Sequence, residues 1–168
     1  MQIEKILNML NLEKSFISNF PSKENFFDKE HNRFDRDIED LIEKYYGKSI
    51  LEMLNEKNNE KYLDISYISD LREMSSYVFS YYVILFVIVI MYVITNDDAS
   101  KCEASEAVSM LANILNEKFI KSKIVKSKIS KHVIKKFSKW ILEHWDQLEN
   151  DCFLTNNVYS TYKAIVKG

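Results

Sequence analysis

Three histidines, two cysteines and one unbroken run of lysines are the residues of this chain with the most distinctive chemistry. A bound metal needs several ligands at short spacing, and a nucleophile needs a base beside it. His31, His132 and His144 are scattered, and none stands at ligand spacing with a cysteine or a pair of carboxylates. His144, next to Trp145, reads as a partly exposed helix residue. Cys102 follows Lys101 near a predicted helix start, a place that lowers a thiol pKa, yet the sequence gives it no histidine partner. Cys102 and Cys152 are too few for a disulfide scaffold and fit a reducing compartment. The expectation is a binding protein, with no catalytic residues, no metal and no cofactor.

The lysines are a stronger signal. Between Lys118 and Lys139 there are nine, with His132 and no acid. Their spacing spreads them over more than one helical face. A solvated helix surface, an anionic membrane surface and an acidic partner all fit. Nucleic acid is not expected, because no arginine is interleaved and the chain is slightly acidic. The net charge of -2 hides a split. Residues 1–100 carry 11 basic against 18 acidic side chains, and residues 101–168 carry 12 against 7. A homodimer joining the basic half to the acidic half is a further partner these charges allow.

Such side chains need a scaffold, and composition restricts it. The 168 residues suit one domain, 1–168, and 46% apolar content supplies a core. Two glycines and one proline stand where average usage would give about twenty. Sandwiches, barrels and dinucleotide folds depend on those residues at turns and phosphate loops, so an all-α chain remains.

Apolar spacing predicts a first amphipathic helix from Ile3 to Phe20, stopped by Pro21, and a loop over 22–33. Asp35 or Asp37 would cap a second helix carrying Ile38, Leu41, Ile42 and Tyr45, broken at Gly47 and continued by Ile50, Leu51, Met53 and Leu54. After a turn at 55–61, a short helix Tyr62–Met74 rests on Ile65, Ile68 and Leu71. Tyr77–Thr95 has 19 residues and no charge. That meets the length of a membrane span, but equally that of a helix buried on all sides. Its four tyrosines are spread along it rather than confined to two interfaces, and every other helix needs an apolar partner, which favours burial. Asn96, Asp97, Asp98 and Ser100 end it. A long helix follows from Glu103 to Trp145, bent or broken between Ser122 and Ser130, and residues 150–168 are weakly patterned. The sum is seven or eight helices around Tyr77–Thr95.

Two stretches carry a family resemblance. FDRDIEDLIEKYY (Phe34–Tyr46) resembles the third homology motif of the Bcl-2 family of apoptosis regulators. Phe34 takes its leading apolar position, Glu39 its acidic one, and Leu41 and Tyr45 the apolar ones that follow. Ile38 replaces a small residue and Asp37 an apolar one. KWILEHWDQL (Lys139–Leu148) resembles the second motif through Trp140, Ile141, Trp145 and Asp146, without the intervening Gly-Gly. The first motif, due near Met74–Phe79, is absent, as it commonly is in divergent viral members, including poxviral ones that block apoptosis or inflammatory signalling. The resemblance spans about residues 34–150 and implies a Bcl-2-like bundle with a hydrophobic groove that sequesters amphipathic death-motif helices of pro-apoptotic host proteins. It also implies a cytoplasmic protein, peripheral to the mitochondrial outer membrane.

The groove so implied is lined by Ile42, Tyr45, Met53, Leu54, Ile68, Leu71 and Tyr77, with Arg72 nearest to the family's arginine anchor for a ligand aspartate. On this expectation Leu71→Glu abolishes binding and leaves the helical signal intact. The alternatives are a Bcl-2-fold viral inhibitor of host inflammatory signalling that acts through surface contacts, and a single-span membrane protein with helical flanks.

Overall fold

Hydroxyl side chains mark the helix starts. Ser49, Ser75, Ser127 and Thr155 each have extended backbone and accept a hydrogen bond from the N–H three residues on, which satisfies one orphan donor of the first turn. The computed structural model describes residues 2–26, 36–96, 101–148 and 153–168. Its helices are α1 (Ile3–Met9), α2 (Lys14–Ser18), α3 (Arg36–Tyr45), α4 (Ile50–Leu54), α5 (Ile65–Ile68), α6 (Ser76–Thr95), α7 (Lys101–Leu115), α8 (Lys128–Glu143) and α9 (Asn156–Lys167). Single 3-10 turns lie at Lys23–Phe26, Asn59–Leu63, Ser69–Glu73 and Trp145–Gln147, and a π turn at Asn116–Lys121. Among the described residues there is no strand, so the chain is all-α.

The uncharged segment is the axis of this arrangement. From Val78 to Met91 every residue of α6 is buried. Over its most apolar 18 residues the mean hydropathy is 2.5, long and apolar enough to cross a membrane, yet 89% of that window lies inside the protein. Helices α1, α4, α7 and α8 and the turns at 23–26, 59–63 and 69–73 pack around it. Their buried apolar residues join its core: Ile6 and Leu7 from α1, Met53 and Leu54 from α4, and Val133, Ile134 and Phe137 from α8.

A helix buried on all sides has no polar face, so its hydroxyls tie the wrapping in register. The Tyr81 hydroxyl donates to Ile17 O at 3.1 Å and accepts from Ile50 N at 2.9 Å, joining α6 to α2 and to the start of α4. The Tyr82 hydroxyl points between Tyr45 O at 2.7 Å and Lys48 O at 2.8 Å, where α3 ends. Ser130 Oγ of α8 donates to Ser80 O. Burial pushes the Tyr81 hydroxyl pKa up to about 12, despite the hydrogen bond from Ile50 that opposes the shift. We expect Tyr81→Phe to leave a buried N–H and a buried C=O without partners and to cost about 2 kcal/mol, read as a lower urea midpoint at unchanged slope.

Several boundaries differ from the periodicity. The first helix is two helices, because Leu10 and Leu12 are both buried and a continuous helix would set them on different faces. Asn11 makes the turn at φ 55, a conformation asparagine tolerates. Gly47 breaks the next element at φ 80, as its type predicts. Tyr62–Met74 is not one helix but a 3-10 turn, α5 and another 3-10 turn; Ile68 and Leu71 face inward and Ile65 is exposed. The long helix does break in the expected stretch between Ser122 and Ser130: after the π turn ends at Lys121 the chain is non-helical to Ser127, which lets Val125 be buried.

The weakly patterned C-terminal stretch contains α9. Its Val158, Tyr162 and Ile165 lie at i, i+4 and i+7 and pack on α7 and α8, and Tyr162 donates to Val108 O at 2.6 Å. The caps expected at Asp35, Asp37, Asp97, Asp98 and Ser100 fall on residues or side chains outside those described, as do His31, Phe34, Ile38 and Cys152.

Candidate partner-binding site

The segment from α3 to the start of α6 contains every groove residue expected from the sequence. In α3 the apolar positions Leu41 and Tyr45 turn inward, Ile42 is half-buried, and Glu39, Asp40 and Glu43 face solvent. Ser49 then starts α4, and Asp64 starts α5 by accepting from Ser66 N at 2.8 Å. That N–H holds the Asp64 carboxyl below the usual carboxylate range. The pieces between 50 and 74 are one or two turns long, so few of their backbone hydrogen bonds are internal and packing must hold them.

These pieces are packed shut. Tyr45, Met53, Leu54, Ile68 and Leu71 are at most 3% exposed and belong to the core. The apolar lining expected of a groove is therefore enclosed here, as part of the core that surrounds α6. An aromatic layer lies beneath, with the Tyr45 ring 4.9 Å from Tyr82, and Tyr62 5.2 Å from Tyr67 and 6.3 Å from Phe86. Only Arg72 and Tyr77 of the expected set are exposed, Tyr77 at 72%, with half-buried Ile42 between the two classes. Leu71→Glu would bury a carboxylate, so it cannot separate binding from folding.

A polar latch crosses the closed seam. The Tyr45 hydroxyl donates to Asp70 Oδ2 at 3.1 Å, and Lys44 Nζ reaches the same oxygen at 3.1 Å. Lys44 Nζ also sits 5.1 Å above the Tyr67 ring. Burial, and then the Asp70 charge, push the Tyr45 hydroxyl pKa well up, so it stays a proton donor. A second cluster lies at 56–62, where Glu56 takes Lys61 at 2.7 Å and the Tyr62 hydroxyl at 3.1 Å. Periodicity shows none of these contacts, because Lys44 and Asp70 are 26 positions apart and a charge pattern names no long-range partner.

A second concave feature escaped the sequence for the same reason. Glu60 and Asp64 meet Glu103 and Glu106 of α7 around an open cleft of about 460 Å³, with Lys61 and Ile65 on its wall. Its carboxylates make it a poor seat for an apolar helix.

Cys102, His132 and His144 lie outside the segment from α3 to the start of α6. Cys102 is exposed on α7, and His132 is exposed on α8. His144 stacks on Trp140 at 4.1 Å, and its Nδ1 donates to Trp140 O at 2.8 Å, since a carbonyl can only accept. Among the described residues no group of three or more His, Cys, Asp or Glu side chains is placed to hold a metal. The Trp140–Asp146 stretch forms the end of α8 and the turn after it: Trp140 and Ile141 are buried, and Trp145 packs edge-on against Tyr159 of α9 at 5.2 Å. No protein-family model, no curated protein and no solved structure matches this chain.

Proposed function

We propose that this chain is a Bcl-2-like regulator of apoptosis, pro-survival in effect, that sequesters amphipathic death-motif helices of pro-apoptotic proteins. The observation that carries the reading is the closed seam between α3 and the 59–73 segment. Short turns lie there over an aromatic layer on a central helix that is buried from Val78 to Met91. Arg72 and Tyr77 are exposed at its border. Opening the seam releases Lys44 and Tyr45 from Asp70 and lets the 59–73 turns move outward. A partner helix then replaces the contacts of Tyr45, Ile68 and Leu71 with its own apolar stripe, and its aspartate pairs with Arg72. Four apolar anchors supply about 1.5–3 kcal/mol each before ordering and seam opening are subtracted. This role places the chain in the cytoplasm, at the mitochondrial outer membrane.

Calorimetric titration against a panel of death-motif peptides tests it. We expect micromolar or tighter binding to at least one peptide, a loss of about tenfold with Arg72→Glu, and near-complete retention with Arg72→Lys. Arg72 is exposed, so these variants keep the fold. Failure of every peptide to bind overturns the sequestration reading.

A second reading applies if the seam stays closed. A Bcl-2-like inhibitor of host inflammatory signalling would use surface contacts and leave the core residues Tyr45, Met53, Leu54, Ile68 and Leu71 where they are. A chain that dimerises and ignores all peptides supports this branch.

A further inference from the structure

We infer that the 116–131 segment is a docking surface for an anionic lipid bilayer. It holds six of the nine lysines of the run 118–139, and that run contributes +9 to a chain of net charge -2, so the remainder carries -11. That separation makes the molecule strongly polar and turns its basic end toward a negative surface. An ordinary solvated face intersperses both signs, and this one has no acid in 22 residues.

The fold concentrates the charge further. The π turn at Asn116–Lys121 closes with Ser122 N bonded to Glu117 O at 2.9 Å and Ile124 N to Lys118 O at 3.0 Å. Lys123 follows at φ 50, and buried Val125 pins the extended stretch that leads to α8. Lys121, Lys123, Lys126, Lys128 and Lys131 are all exposed. Among the described residues none of the five has an ion-pair partner. By contrast, Lys135 and Lys136 are engaged, donating to Gly168 O and Met9 O.

Apolar side chains decide between a bilayer and other polyanions. Ile129 is 45% exposed in the middle of the lysines, and Phe119, Ile120 and Ile124 are half-buried beside them. The Ser130–Ser80 bond sets this end of α8 against the first turns of α6, where Tyr77 is exposed. Exposed isoleucine and tyrosine among lysines suit the headgroup boundary, where apolar groups sink and ammonium groups stay wet. Nucleic acid offers no such layer, and the segment has no arginine for paired phosphate contacts. The surface does not depend on the peptide-sequestering role.

Vesicle co-sedimentation of the full chain tests this, comparing phosphatidylcholine alone with phosphatidylcholine containing 30% phosphatidylserine. Binding is expected only to the anionic vesicles at 0.1 M salt, and is expected to disappear at 0.5 M. Each lysine near the surface contributes about fivefold, so Lys121→Gln with Lys126→Gln lowers partitioning by about 25-fold. Ile129→Ser weakens it as well, whereas a purely ionic contact would leave that variant unchanged. Equal binding to both vesicle types, no binding to either, or displacement from the vesicles by millimolar inorganic phosphate or by a short DNA duplex at constant ionic strength overturns the inference.

Discussion

Raising the pH above 10 is expected to unfold this protein cooperatively, with ionisation of the enclosed tyrosine hydroxyls and loss of helical circular dichroism following the same curve. Five of the ten tyrosines, Tyr45, Tyr62, Tyr81, Tyr82 and Tyr162, are buried and have their pKa values raised, in each case chiefly by burial. Asp70 adds to the shift at Tyr45 and Glu56 to that at Tyr62. The unfolded chain loses these protons near pH 10 and the folded chain keeps them, so above that pH the unfolded state binds fewer protons and stability falls as pH rises. The neutral-tyrosine contribution is complete below pH 10 and is lost as the pH climbs through the folded values. Each group loses up to about 1.4 kcal/mol per pH unit in that window. Five together approach the whole stability of a domain, about 5–15 kcal/mol. Replacing Tyr162 with Phe should flatten the alkaline slope by nearly one proton. Full titration of all ten tyrosines with the helical signal intact would show that these hydroxyls are not enclosed.

Phe86→Ala should be among the most damaging single truncations, at about 3–5 kcal/mol. Phe86 is fully buried at the middle of α6, and its ring meets Tyr62 edge-on. The cavity would open where the central helix meets the 59–63 turn, and a long helix held on all sides cannot shift to fill it. For a chain of this size each kcal/mol lowers the melting temperature by about 2–4 °C, so a loss of roughly 6–20 °C is expected by calorimetry. A loss under about 1 kcal/mol would mean that α6 is loosely held, and then the closed seam above it would lack the rigid floor that peptide sequestration requires. The melting temperature of Phe86→Ala is therefore worth measuring beside its peptide affinity, since one reports the floor and the other the seam.

The central helix was legible because its signal is local: 19 successive uncharged residues can satisfy water on no face. Gly47 was legible too, since one residue type adopts positive φ without strain. The helix α9 was missed because only three of its 12 residues, Val158, Tyr162 and Ile165, are buried, a thin stripe that gains meaning only when α7 and α8 are beside it. The expected groove residues all fall between α3 and the start of α6, and most of them are enclosed. Their apolar character says that they face something, and an empty groove and a packed core ask for the same side chains.

The amino-acid sequence by itself determined the helical class, the identity of the axial helix and the split into acidic and basic halves. All three follow from composition and short-range spacing, which act within a few turns of chain. Only the tertiary structure decided that Leu71 and Tyr45 are enclosed while Arg72 and Tyr77 are not. It alone joined Lys44 and Tyr45 to Asp70, tied Tyr81 to both Ile17 and Ile50, and left five lysines without an ion-pair partner among the described residues. Those outcomes depend on pairings across tens of residues. Burial and geometry select such pairings, and the order of residue types along the chain leaves them open.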